Sequence, residues 1–277
     1  MIPAYDNHVH LRPDGKCIEA VKIFRKYGGT HFNLVVSPLN IKYDEKYYQK
    51  IYDVTVKIAD KIRSELGIFV LVSLGPHPAD ISAWLRNGNL DYAKEMMLCG
   101  VDLAAKYVEE GKANAIGEVG RPHYPVAKDV WNASNEILLY CMKKAKEVGC
   151  PVILHTESPT IETFKELAEM ADKAGLEREK VIKHYSPPFI QDEENHGIFP
   201  SLIASRKNVI EAIKKGKRFF METDYIDDPK RPNAVIPIYS VPKRNRMLLE
   251  MGLASEEDLH VIHVENVEKI YGVEVKI

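Results

Sequence analysis

Short apolar runs alternate with longer amphipathic stretches along almost the whole chain. Each run has the length of a buried strand, and each ends in polar or turn-forming residues. This pattern predicts eight strands, at residues 2–9, 31–37, 68–75, 113–119, 151–155, 180–184, 198–203 and 218–223.

The stretches between the runs carry apolar residues at helical spacing, and most of them stop at a glycine. A glycine just after the last turn is the usual C-terminal cap of a helix. The predicted helices span residues 17–27, 45–66, 92–110, 131–148, 160–174, 205–215 and 245–251.

Strands that alternate with helices at this spacing indicate a parallel sheet, and eight such units favour closure into a (β/α)8 TIM barrel. An open doubly wound sheet is the alternative. It has little support, because no GxGxxG follows the first strand and no GxxxxGK[ST] occurs in the chain. The chain has 277 residues, of which 45% are hydrophobic, so we expect one barrel domain over residues 1–277.

Six residues able to bind a metal are scattered along the chain, and most of them stand where an apolar run ends. Side chains alternate along a strand, so His8 and His10 point the same way and can share one ion. A parallel barrel gathers its strand ends on one rim, where distant ligands meet. The predicted metal ligands are His8, His10, Glu118, His155, His184 and Asp224.

Charge and cysteine content narrow the class of protein. The formal net charge is −2, so no global positive field attracts nucleic acid or a membrane. The four cysteines form no CxxC pair, which suits reduced thiols. The N-terminus lacks the basic and apolar regions of a signal peptide, and no apolar stretch approaches a membrane span of ~18 residues. We therefore expect a cytoplasmic protein with no membrane partner; the oligomeric state is left open.

Several segments, taken in order, carry a family resemblance. They are DNHVHL at 6–11, GPHP at 75–78, GEVG at 117–120, PVILHTE at 151–157, the histidine of VIKHYS, METD at 221–224 and HVENVEKIYG at 263–272. Together they resemble the TatD-like metal-dependent hydrolases of the amidohydrolase superfamily. The resemblance implies a barrel hydrolase with two divalent ions (Zn²⁺, Mn²⁺ or Mg²⁺) that cleaves phosphodiester bonds, typically as a nuclease, with single-stranded DNA as one candidate substrate.

The resemblance also implies a division of the ligands. His8, His10 and Asp224 would hold one ion and His155 and His184 the second, with Glu118 bridging both. Two ions ~3.5–4 Å apart can lower the pKa of a shared water and stabilise the attacking and leaving oxygens of a displacement. Asp224 is the candidate to orient that water and accept its proton, so Asp224 and Glu118 are the predicted catalytic residues.

Five further residues are candidate substrate contacts: His77, Arg121, His123, Glu157 and Arg231. Arg121 and His123 lie in GRPHYP, where the TatD pattern usually has an aspartate, and Glu157 stands where many relatives carry an arginine. We hypothesise that Arg121 restores the lost positive charge. A guanidinium fork at Arg231 would also suit phosphate recognition.

These departures keep other functions open. The second possibility is a hydrolase of the same superfamily that acts on a small-molecule amide, lactone or phosphoester. A bridging glutamate is compatible with this hydrolysis as well as with phosphodiester cleavage. A third possibility is a non-catalytic binding or scaffold protein that keeps the barrel but has lost its activity. Such a protein would be expected to lack a metal ligand, and none of the six predicted ligands is missing. A dihydroorotase-like protein would need a lysine that bridges the two metal ions at the position where this chain has Glu118.

Overall fold

A parallel sheet forms the centre of the molecule. The structure, a computed structural model, describes residues 2–231 and 234–277. All eight predicted strands occur, with shifted bounds. They are β1 (Tyr5–His10), β2 (His31–Val35), β3 (Phe69–Leu74), β4 (Ala115–Gly120), β5 (Val152–His155), β6 (Val181–Lys183), β7 (Phe199–Ile203) and β8 (Phe220–Glu222).

A ninth, two-residue strand closes the sheet. Strand β9 (Tyr225–Ile226) follows β8 after two residues and pairs with β1, where Val9 lies opposite Tyr225. The strand order is β8-β7-β6-β5-β4-β3-β2-β1-β9, with every pairing parallel. Because β8 and β9 are consecutive in the chain, the two edges of the sheet meet. The predicted (β/α)8 barrel is confirmed.

Helices surround the sheet. The helices that connect successive strands are α1 (Ile18–Lys26), α2 (Tyr47–Leu66), α3 (Asp80–Leu85), α4 (Leu90–Glu109), α5 (Lys128–Val148), α6 (Ile161–Ala174), α7 (Asp192–Asn195) and α8 (Arg206–Lys215). Beyond the barrel strands come α9 (Ser240–Glu250), α10 (Glu256–His260), a π-helical turn (Val261–Glu265) and α11 (Asn266–Tyr271). Helices α3, α7 and α10 were not predicted from the sequence.

Left-handed glycines end several helices, as the sequence indicated. Gly67, Gly149 and Gly175 cap α2, α5 and α6 with φ of 61°, 73° and 70°. A side chain at such a φ costs about 1 kcal/mol or more, which is why glycine stands there.

Two apolar layers pack on the sheet. Alternation along β5 shows them: Val152 and Leu154 pack in a large cluster with the surrounding helices, whereas Ile153 packs inside the barrel. The interior cluster consists of Tyr5, Leu71, Ala115, Ile153, Ile182, Phe199 and Phe220, together with Val267, Ile270 and Tyr271 of α11. Helix α11 therefore packs against the interior of the barrel, and its Tyr271 hydroxyl donates to Oδ1 of Asn7 at 2.7 Å.

Candidate metal centre

A buried carboxylate lies at the centre of the candidate site. Glu118 of β4 is 3% exposed, so its charge has to be compensated within the protein. Its Oε1 atom lies 3.3 Å from Nε2 of His8, 3.1 Å from Nδ1 of His155 and 3.5 Å from Nε2 of His184. Strands β1, β4 and β5 and the end of β6 thus direct their polar groups to one point.

The second oxygen of Glu118 faces two more histidines. Oε2 lies 3.6 Å from Nε2 of His10 and 3.9 Å from Nε2 of His77. Asp224 completes the cluster, with Oδ1 3.7 Å from Nε2 of His10. Asp224 has a φ of 48°, a left-handed conformation that bends the chain between β8 and β9. The structure therefore brings all six residues predicted as ligands together, and it adds His77.

Burial sets the protonation of the cluster. Burial lowers the pKa of His10 and of His184 to about 4 and that of His77 to about 3. These imidazoles are therefore neutral at pH 7, which is the form that binds a cation. Burial raises the pKa of Asp224 to about 8.

His8 and Glu118 behave as an ion pair. Burial alone would lower the pKa of His8, but the charge of Glu118 outweighs it and raises this pKa to about 9. Burial likewise opposes ionisation of Glu118, yet His8 and His155 hold the pKa of the carboxyl well below its ordinary value. A proton on His8 therefore occupies the position that a cation would take beside Glu118.

Donor atoms suited to a cation converge in three groups. In each group one ligand atom per residue lies within 4.8 Å of the others. The groups are His8, His184 and Asp224; His8, His10 and Glu118; and His77, Glu118 and His155. Imidazole nitrogens with carboxylate oxygens suit Zn²⁺, Mn²⁺ or similar ions better than Ca²⁺.

This grouping differs from the division that the family resemblance implied. His184 groups with His8 and Asp224, and its ring stacks on that of His8 with centroids 3.8 Å apart. His77 takes the place beside Glu118 and His155, although the sequence suggested only a substrate contact or a loop brace for it. Its position after β3 in GPHP was the available signal.

Other buried groups orient the candidate ligands. Oε1 of Glu222 lies 2.8 Å from Nδ1 of His184 and accepts the Tyr185 N–H at 2.8 Å. The other ring nitrogen of His10, Nδ1, lies 3.0 Å from the carbonyl oxygen of Val36. Such contacts fix the rotation of an imidazole so that its free nitrogen faces the site. Glu222 was not singled out from the sequence. It is fully buried, so its charge needs partners within the protein.

A cavity of about 260 Å³ opens over the cluster. Its lining includes His77, His123, Arg12 and Arg231 besides the candidate ligands other than His8. Nδ1 of His123 lies 2.8 Å from Nε2 of His155, so His123 stands directly above a ligand. The two arginines are paired with carboxylates: Arg12 donates to Asp14 at 2.8 and 2.9 Å, and Arg231 donates to Asp228 at 3.1 Å.

Arg121 lies outside this cavity and is engaged by the protein itself. It is 2% exposed, and its guanidinium lies 5.0 Å from the ring centre of Trp131. Nη2 lies 2.9 Å from Oε1 of Glu157, and Nη1 donates to Glu166 at 3.0 Å. The sequence suggested that Arg121 and Glu157 each contact substrate. In the structure these two side chains pair with each other, and a second carboxylate, Glu166, contacts the same guanidinium.

A second cavity of about 250 Å³ adjoins the first. It shares His123, His155, His184 and Asp224 with the cluster, and continues along Thr156, Glu157, Ser158, Pro159, Lys183 and Tyr185. Glu157 therefore borders this second cavity, while its Oε1 faces Arg121.

Comparison with known proteins agrees with this geometry. The family model described as TatD-related DNase matches residues 5–272. The chain belongs to this family. An uncharacterised protein of Methanocaldococcus jannaschii is 42% identical over 279 residues, covering 100% of this chain and 98% of that protein.

Solved structures share the fold at lower identity. A TatD homologue of Escherichia coli is 18% identical with a TM-score of 0.67, covering 98% of both chains. A mutant of a phosphotriesterase-like lactonase of Deinococcus radiodurans is 14% identical with a TM-score of 0.65, covering 98% of this chain and 95% of that one. Both therefore support the barrel. Within the described residues, none of the helices has the length and apolar character to cross a membrane.

Proposed function

We propose that this chain is a divalent-metal-dependent hydrolase that cleaves phosphodiester bonds with an activated water. The observation that carries the proposal is the Glu118 carboxylate, which has five histidine nitrogens within 3.9 Å at the ends of the barrel strands. Catalytic sites of this barrel lie at that rim in characterised enzymes. The family match supports the hydrolase class.

The cluster's residues would hold the metal ions. His8, His10, His155, His184, Glu118 and Asp224 supply the mixed nitrogen and oxygen donors that two ions need. When bound, two such ions lower the pKa of a water and stabilise both oxygens of an in-line displacement.

Asp224 is placed to handle the proton. Its Oδ1 lies 3.7 Å from His10, and it lines both cavities. The backbone at Asp224 is left-handed. Bound cations would favour the ionised form of this buried carboxyl, which would orient the attacking water and accept its proton. Glu118 would fix the histidines on either side of that water.

Single-stranded DNA is one candidate substrate. A net charge of −2 gives no general attraction for DNA, so contacts would be local. Arg12 and Arg231 are the cations at the cavity mouth, and a phosphate would have to compete with Asp14 and Asp228 for them. We place the activity in the cytoplasm, because all four cysteines are free, as suits a reducing compartment.

A small-molecule lactone or phosphoester is the second candidate substrate. Two features favour it: both cavities are small, and the arginines at the mouth are already paired with carboxylates. The similar Deinococcus structure is named a lactonase. The same activated water could attack an amide, whose leaving nitrogen would also have to be protonated.

The test is hydrolysis by protein of known metal content. Elemental analysis of the purified protein comes first. Bis(p-nitrophenyl) phosphate, single-stranded DNA, lactones and amides are then assayed with added Mn²⁺, Zn²⁺ or Mg²⁺. We expect hydrolysis of the phosphodiesters, loss of it after chelation and in His155→Ala, and wild-type rates in His260→Ala, which removes an exposed histidine. Hydrolysis of lactones or amides alone would select the second candidate.

A further inference from the structure

Lys183 is a buried cation that lacks a carboxylate partner. It ends β6, directly before His184, and is 1% exposed. Its Nζ donates to the carbonyl oxygen of His184. Among the residues that the structure describes, no carboxylate oxygen lies within 4.0 Å of it. A buried charge without a counter-charge is costly, so the position has to be stabilised by something else.

The carboxylates nearest in the fold are bound elsewhere. Glu222 accepts from the Ser201 hydroxyl and the Tyr185 N–H and contacts His184. Glu157 is paired with Arg121 at 2.9 Å. Neither makes a direct ion pair with Lys183, although both attract its charge from a longer distance.

The third carboxylate of the region, Glu118, is also occupied. It faces the histidines of the cluster, from His155 at 3.1 Å to His77 at 3.9 Å. No carboxylate therefore pairs directly with Lys183, and only longer-range attraction by Glu222, Glu157 and Glu118 offsets the burial of its ammonium group.

Lys183 lines the second cavity, which also touches the candidate metal ligands. The residues that line this cavity with Lys183 include three that carry hydroxyl groups, Thr156, Ser158 and Tyr185. Hydroxyl groups can donate to an anionic oxygen, and a lysine supplies the charge.

We propose that this cavity binds a second anionic group of the substrate, a phosphate or a carboxylate, which pairs with Lys183 while the scissile ester lies at the metal centre. The proposal rests on the proposed function, since it extends the substrate of the same site. It narrows the substrate class to esters that carry a further negative charge near the bond that is cleaved.

Glu157 does not prevent this use of the cavity. The Arg121 guanidinium lies 2.9 Å from it and offsets its charge. Lys183 is therefore the lysine of this cavity that makes no direct ion pair.

The test compares two chromogenic esters that differ by one phosphate. They are the 5′-(p-nitrophenyl phosphate) of thymidine and the same compound with a 3′-phosphate, assayed with the metal-loaded enzyme. We expect the 3′-phosphate to lower KM by at least about tenfold, as a charge-assisted contact would. The Lys183→Met enzyme should show the same KM for both esters. Lys207→Met, which removes an exposed lysine from α8, should keep the wild-type ratio.

A binding measurement keeps the proposal testable if the variant fails to fold or no ester is cleaved. Calorimetry on wild-type protein compares thymidine 3′,5′-bisphosphate with thymidine 5′-phosphate. Tighter binding of the bisphosphate by about tenfold supports the subsite even when hydrolysis is absent, in which case only the proposed hydrolysis fails. Hydrolysis of both esters with equal KM, together with equal binding of the two nucleotides, overturns the subsite and leaves the hydrolase proposal standing.

Discussion

Oε1 of Glu118 lies 3.3 Å from Nε2 of His8, so a carboxylate of β4 and an imidazole of β1 meet inside the barrel rim. Both side chains are almost completely buried. Such a buried pair is stable only if each charge is compensated. The surrounding histidines supply nitrogen donors for a cation between Glu118 and His8.

Replacing Asp224 by asparagine should reduce turnover far more than metal binding. The change removes a proton acceptor but leaves an oxygen donor, and loss of a general base costs about 10²- to 10⁴-fold in kcat. Steady-state assays on bis(p-nitrophenyl) phosphate, paired with metal titrations, measure the two effects separately. Equal losses of turnover and of metal affinity would assign Asp224 a ligand role only.

Replacing Glu222 by glutamine should weaken metal binding without unfolding the protein. Glu222 lies 2.8 Å from Nδ1 of His184 and supports the basicity and rotation of that imidazole. Partners of this kind typically change metal affinity by about 10- to 100-fold. Competition with a chromogenic chelator gives the affinity, and Glu166→Gln is the matched control, because Glu166 contacts Arg121 and no candidate ligand. If Glu222→Gln binds metal with wild-type affinity, Glu222 does not support metal binding by His184.

Arg121→Met should lower the free energy of unfolding. The guanidinium is buried between Glu157 and Glu166, and removing it strands the Glu157 carboxylate. We expect a loss of about 2 kcal/mol, below the several kcal/mol of a fully buried pair, because both glutamates are partly exposed. Urea unfolding monitored by circular dichroism measures it. An unchanged midpoint would show that the ion pairs contribute no net stability, and a large rise in KM alone would restore Arg121 as a substrate contact.

A buried histidine far from the metal centre should make the fold sensitive to acid. His263 accepts the Tyr5 N–H at Nδ1 (3.1 Å), and its Nε2 lies 2.9 Å from Oδ1 of Asn245, so the neutral ring satisfies both contacts. Burial lowers the pKa of His263 to about 3. The unfolded chain takes up a proton below about pH 6.5 while the folded protein does not, so stability is complete above that pH.

The measurable quantity is the slope of the unfolding free energy against pH. As pH falls from about 6.5 toward 3, His263 should cost about 1.4 kcal/mol per pH unit. Unfolding free energies measured between pH 4 and 7 should fall less steeply in His263→Gln than in wild type. His260→Gln, at an exposed position of α10, should keep the wild-type slope. Parallel curves for wild type and His263→Gln would contradict the assignment.

The sequence predicted the strands and the main helices because their signals are local. Apolar runs such as PVIL at β5 and capping glycines such as Gly149 depend on only a few neighbouring residues. The short helices α3, α7 and α10 and the two-residue strand β9 escaped prediction. Helix α3 follows the prolines of GPHP and is too short to show a helical period, and β9 exists only because the barrel closes onto β1.

The candidate ligands were predictable for a related reason: a parallel barrel brings its strand ends to one rim. What each residue faces could not be read from the sequence. Arg121 and Glu157 stand in different segments, and nothing local indicates that they pair with each other. The same holds for Glu222 and Lys183, whose roles depend on which neighbours are already occupied.

The most direct test of the central claim is anomalous diffraction from crystals grown with Mn²⁺. The account predicts peaks within about 2.0–2.3 Å of Glu118 and of the histidines and aspartate around it, and no such peaks in crystals of Glu118→Gln. Wild-type crystals with no peak beside Glu118 would contradict the metal centre and, with it, the proposed hydrolase.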